Sequence, residues 1–261
     1  MKALIIGLVL LFAIPVLAQV DAIKSESRSN SDRSGKPSEG SSGSSSNVSD
    51  GGFFFVELFF NGIGEWQGAK LRNDRARYPS MVSLDVMLQG AVKPSSYYVL
   101  WPRIRGNWGL FSTDFRMNYL IEEDFEGFKH IRTNDWQIFQ INLITSRFIT
   151  LRAGTGIMTE AFEAKRTFNE SAFYLGVHAP DQSKTIGFEY RFSKDWETGA
   201  NPRREFSVQY QHQIFSAGAL HGNLSVGAVY QRYYNSIEIW GVQAGIVFRI
   251  FKPVIRKEWD E

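Results

Sequence analysis

The sequence predicts an all-β protein: a closed antiparallel transmembrane β-barrel of about ten strands, with eight to twelve compatible with the pattern. Three observations predict it. From Phe53 to Phe251 many stretches alternate in side-chain polarity with period two, and there is no sustained helical period. The alternating runs are also long enough to cross a bilayer at a tilt, which takes about 9 to 11 residues. Composition agrees: of 261 residues, 43% are hydrophobic and 15% aromatic, and there is no cysteine. Disulfide scaffolds and thiolate metal sites are therefore excluded. The formal net charge of +2, from 29 basic and 27 acidic side chains, gives no basis for nucleic-acid binding, which needs a clear cationic excess along the phosphate path.

The chain opens with Lys2, an apolar run from Ala3, and Val16-Leu17-Ala18, whose small residues suit signal peptidase. Residues 1–18 read as a cleaved export signal, being too short for the roughly 20 residues a membrane helix needs. The absence of cysteine leaves no site for lipid attachment at the new N-terminus. Residues 19–52 are rich in Ser and Gly, with charges of both signs, and cannot bury enough apolar surface to offset ordering entropy. They read as a disordered linker, a periplasmic tether with some capacity to bind a partner.

Residues 53–251 form the barrel domain, and 252–261 a short polar periplasmic tail. Alternating runs place strands near 53–62, 81–92, 108–121, 135–145, 148–159, 171–179, 184–194, 204–215, 221–233 and 237–251. Tyr97 to Arg105 also looks like strand, but Pro102 cannot donate to a ladder, so this stretch reads as a kinked extension of the third strand or a sign of a different count. Connections near 160–170 and 195–203 are longer and charged, whereas those near Ser146 and at Pro180 to Ser183 are tight. Such asymmetry is typical of barrels with one outward and one periplasmic rim.

Alternation alone does not say which face meets which solvent. Inward apolar rows would give a soluble exported barrel or sandwich binding protein; outward rows give a membrane barrel. Three features favour the membrane. One face carries a charged network of Asp85, Asp114, Arg116, Arg152, Glu189, Arg191 and Arg249, suited to an enclosed wet lumen. Trp66, Trp108, Trp136, Trp196 and Trp240 fall near expected strand ends and read as an interfacial aromatic belt. An export signal without cysteines fits a Gram-negative envelope, where a closed barrel pairs every backbone group inside hydrocarbon. The last run, Trp240-x-Val242-x-Ala244-x-Ile246-x-Phe248-x-Ile250-Phe251, resembles the C-terminal assembly signal of the bacterial outer-membrane β-barrel superfamily. Lys252 to Glu261 depart from the superfamily's usual terminal aromatic, and no subfamily is specified. The resemblance implies outer-membrane location, with membrane lipid, lipopolysaccharide and envelope proteins as partners.

No enzyme, cofactor or metal site is expected. His130, His178, His212 and His221 are not spaced as a ligand pair, and no G-x-S-x-G elbow occurs. His221 and Ser225 share a strand face but stand about 13 Å apart at roughly 3.3 Å per residue, too far for proton transfer. Gly154-Thr155-Gly156 lacks the rest of a nucleotide-binding loop. Asp114 with Arg116, and Glu189 with Arg191, pair opposite charges on one strand face, as either a lumen-filling network or the lining of a narrow selective pore. Basic Lys70, Arg72, Arg75 and Arg77 could meet lipopolysaccharide phosphates, and Glu122, Glu123, Asp124 and Glu126 form an acidic loop. The expectation is a structural or interaction protein of the envelope, with a narrow pore as the alternative.

Overall fold

The computed structural model describes residues 19–34, 65, 68, 81–93, 97–124, 127–162 and 165–251. Ten strands close into one antiparallel ring: β1 (Val82–Lys93), β2 (Tyr97–Trp108), β3 (Phe111–Asp124), β4 (Gly127–Thr145), β5 (Ile149–Glu160), β6 (Thr167–His178), β7 (Lys184–Lys194), β8 (Arg203–Ala217), β9 (Leu220–Tyr233) and β10 (Ile237–Ile250). Each pairs with its chain neighbours, and β10 returns to β1 in a register running from Leu84 opposite Ile250 to Val92 opposite Val242. Closure leaves no free sheet edge among these strands and excludes a sandwich.

Each strand is one side-chain layer thick, so period two divides it between the inside and the outside of the wall. On β1, Leu84, Val86 and Leu88 are exposed while Asp85, Met87 and Gln89 are buried. Phe115, Phe188 and Phe248 point outward, at 37%, 37% and 39% exposure, whereas Asp114 and Arg191 are enclosed at 0% and 1%. The apolar rows are therefore on the outer surface, and the soluble alternative's premise of an apolar interior is not met.

The strand at 53–62 lies outside the described residues, and the ring closes without it. The tenth strand is instead β2, which contains Pro102. Pro102 is accommodated because its missing N–H interrupts the ladder only locally: β2 and β3 pair from Tyr97 to Leu100, resume at Arg103, and keep the same register across the gap. A bulge at Ile138 and Phe139 turns both side chains outward on β4. Gly156 sits opposite it, where a Cβ would stand 2.0 Å from the Trp136 carbonyl oxygen, so only glycine fits that close approach.

The longer connections, 161–166 and 195–202, lie on one rim. The other carries the turns at 109–110, 146–148, 179–183 and 218–219, together with the start of β1 and the end of β10. We call these the long-loop and short-turn rims.

Part of the segment expected to be disordered is ordered. Gln19–Ser34 is a helix, α1, set across the long-loop rim; 35–52 lies outside the described residues. The composition argument fails here because docking needs only a narrow stripe. Val20, Ile23, Ser27 and Asn30 recur at helical spacing and are all buried. Val20 and Ile23 join Ala91, Tyr97, Val99, Trp101, Leu120, Ile131, Val229 and Ile239 in an apolar cluster under that mouth. The polar members meet fixed partners: Ser27 Oγ donates to Glu160 Oε2 at 2.7 Å and Asn30 Nδ2 to Asp195 Oδ2 at 2.9 Å. The backbone N–H groups of Gln19 and Val20 donate to the two oxygens of Glu122 at 2.9 and 2.8 Å, one carboxylate satisfying two donors left open at the helix start.

Ile23 is fully buried, so Ile23→Ala should cost about 2–5 kcal/mol of docking. Hydrogen exchange should accelerate within 19–34 while the amides of β1 to β10 keep their protection.

Candidate functional site in the barrel lumen

Below the apolar cluster the lumen is filled by ions. Seven arginines, Arg103, Arg105, Arg116, Arg152, Arg191, Arg203 and Arg249, face six carboxylates, Asp85, Asp114, Asp135, Glu170, Glu189 and Glu205. All but Arg249 are buried, and its side chain is only 19% exposed. Inward positions on different strands meet across the ring, so most partners are distant in sequence.

The network has two lobes. In the first, Arg103 grips Asp114 and bridges to Glu189 at 2.7 Å, while Arg105 Nε donates to Asp114 at 2.8 Å. Arg191 Nε adds a 2.8 Å bond to Glu189. In the second, Arg116 holds Asp135 at 2.6 Å and Glu205, and Arg203 Nη2 reaches Asp135 at 2.6 Å and Glu170 at 2.8 Å. Arg191 joins the lobes, lying 3.3 Å from Asp114 and 3.5 Å from Glu170. Gln137 and Gln231 complete the second lobe, donating to Glu170 at 2.6 Å and Glu205 at 2.8 Å. Separately, Arg249 Nε donates to Asp85 at 2.8 Å across the β1–β10 seam. Forked guanidiniums matched to planar carboxylates suit such fixed multivalent geometry.

Asp85, Asp114, Arg116, Arg152, Glu189 and Arg191 are buried inside the ring, and Arg249 is partly so. Of the two same-strand pairs, Glu189 with Arg191 forms; Asp114 and Arg116 instead bind partners on other strands. Six further charges share the lumen outside the expected set: Arg103, Arg105, Asp135, Glu170, Arg203 and Glu205. Pro102 obscures the first two, while Glu170 and Arg203 lie one residue outside the expected strand bounds. Asp135 and Glu205 stood within those bounds, in alternation with apolar Trp136 and Phe206, and were legible.

The Trp residues expected near strand ends take different positions. Trp108 ends β2 at the short-turn rim, and Trp196 and Trp240 lie near the long-loop rim, all exposed. Trp136 instead sits halfway along β4, because that strand starts at Gly127 rather than at 135. Trp66 and the basic Lys70 to Arg77 lie outside the described residues, while Trp101 points into the lumen at 3% exposure. His221 Nε2 contacts the Phe251 carbonyl oxygen at 3.1 Å, and Ser225 accepts from Gln89 at 3.1 Å, so the two are not brought together. Among the described residues no cluster of three His, Asp or Glu side chains could hold a metal ion, and no helix is long and apolar enough to cross a membrane, which says nothing of strands.

No family model and no curated protein matches the sequence.

Removing one member of a buried ionic network strands its partners. Arg203→Met should cost about 3–5 kcal/mol in denaturant unfolding, with part recovered by adding Asp135→Asn. A second expectation concerns the long-loop rim, where Asp195 accepts from Asn30, Thr198 Oγ1 and Arg166. Burial opposes ionisation there, but the hydrogen bonds from Thr198 and Asn30 and the nearby Arg166 charge outweigh it and hold the carboxyl below its ordinary value. A depressed folded value means that its contribution is fully present above the unfolded value of about 4 and is lost as pH falls through the folded one. Protection factors in 195–202 should therefore fall as pH is lowered from about 4, and Asp195→Asn should remove that dependence.

Proposed function

We propose that the protein is an integral outer-membrane β-barrel, exported by a cleaved leader, with a structural or interaction role in the cell envelope and a lumen closed to ion flow. The outward apolar surface carries this reading. Thirty-seven large apolar side chains are exposed among the described residues, on every strand of the ring. A water-soluble monomer rarely exposes a contiguous apolar patch beyond a few hundred Å². Hydrocarbon accepts such a wall, and a closed ring satisfies backbone groups where water is absent. The short-turn rim, which carries both ends of the ring, then faces the periplasm, and α1 caps the outward mouth, which moves residues 19–34 away from the periplasmic side where a tether was expected. Membrane lipid surrounds the wall, and lipopolysaccharide and envelope proteins are the partners to which the rim is open.

Closure of the lumen rests on its contents. About eight strands are just filled by side chains, and general porins need about 16 to 18. Ten strands packed with paired ions, under an apolar layer and a helix, form a plugged cylinder.

Fractionation should recover the protein in detergent-extracted outer membrane, with different gel migration before and after boiling, and a planar bilayer carrying it should stay electrically silent. Release into the periplasm without detergent would sink the membrane assignment. Steady conductance whose ion preference changes on Arg116→Glu would replace the closed cylinder with a narrow pore.

A further inference from the structure

We infer that the lumen holds a binding site for a single halide-sized anion, chloride in the cell, at Arg152 near the short-turn rim. Arg152 is 5% exposed, and its Nε and Nη1 have no hydrogen-bond partner. Among the described residues it is the one arginine of the seven without a carboxylate in ion-pair reach. Asp85 is engaged by Arg249, and Arg105 is committed to Asp114. The nearest compensation is the Tyr174 ring, whose centroid lies 5.0 Å from the Arg152 guanidinium and 5.2 Å from that of Arg105. One aromatic ring shared by two cations does not replace a counterion in an enclosed site.

A cavity adjoins this cation. It measures about 20 Å³ and is lined by Arg105, Arg152, Arg249, Asn107, Gln211 and His178, with Asp85 and Tyr174 also on its wall. About 10–15 Å³ suffices for one water, so this space has room for one monatomic anion. Both ring nitrogens of His178 are occupied by Thr150 and Thr185 hydroxyls at 2.9 Å. Three guanidiniums against one already paired carboxylate make the cavity cationic. An anion would supply both the missing charge and an acceptor for the orphaned donors.

The test uses the full chain in detergent. Crystals soaked in bromide should show an anomalous peak beside Arg152. In solution the thermal unfolding midpoint should rise with chloride or bromide relative to gluconate at equal ionic strength, tracking the logarithm of halide concentration. Arg152→Gln should abolish the difference. Should that variant fail to fold, Gln211→Glu sets a carboxylate in the cavity wall and should remove the halide dependence while the barrel still assembles. An unfolding midpoint identical in halide and gluconate, together with a bromide-free cavity holding only water, would overturn the inference.

Discussion

A wall one side-chain layer thick, closed on itself, allows each strand residue only two destinations. Every other side chain goes to the outer surface and the rest into a narrow cylinder with no room for bulk water. The pairing of ions inside follows from that confinement. Isolated charges in such a space are costly by several kcal/mol each, so an arginine on one strand must find a carboxylate on another. Asp114, Asp135, Glu170, Glu189 and Glu205 meet this need by each serving more than one donor. Buried ion pairs are weak evidence of net stability, since apolar replacements of similar shape often do as well. Their clearer effect here is geometric. Arg103, Arg116, Arg191 and Arg203 bind carboxylates contributed by several strands and so hold the ring's cross-section fixed.

The lumen is graded along its axis. Near the short-turn rim are Arg105, Arg152 and Arg249 beside a small cavity. The middle is a neutralised lattice of arginine and carboxylate, and the long-loop mouth is apolar, closed by Val20 and Ile23 of α1. The apolar layer explains how a helix with so few hydrophobic residues docks at all. It needs two large contacts and a few well-placed acceptors, and Glu122, Glu160 and Asp195 supply the acceptors.

Much of this was legible in the sequence because the strand period is short and unforgiving: one misplaced residue moves a charge to the apolar side. Asp85, Glu189 and Arg249 could be assigned a face from their neighbours alone. The errors have local causes. Pro102 made a true strand look broken, because a sequence does not show which side of the ladder the lost N–H would have faced. Strand ends blur where polar residues are neighbours, which displaced the start of β4 and with it Trp136. The helix is hidden in the sequence because a composition dominated by Ser and charge suggests disorder, and its stripe acquires meaning only beside the opposing mouth of the barrel. Cross-ring partners were invisible for a similar reason: periodicity assigns faces, whereas curvature decides who meets whom.

The seam between β1 and β10 has a consequence for how such a chain comes into being. Asp85 and Arg249 meet there although 164 positions separate them, and until the last strand arrives β1 and β9 both present unpaired backbone. An incomplete sheet has one greasy side and one ionic side, and no single solvent suits both. The emerging polypeptide therefore has no comfortable waiting state in isolation until its final segment pairs with the first and shuts the cylinder.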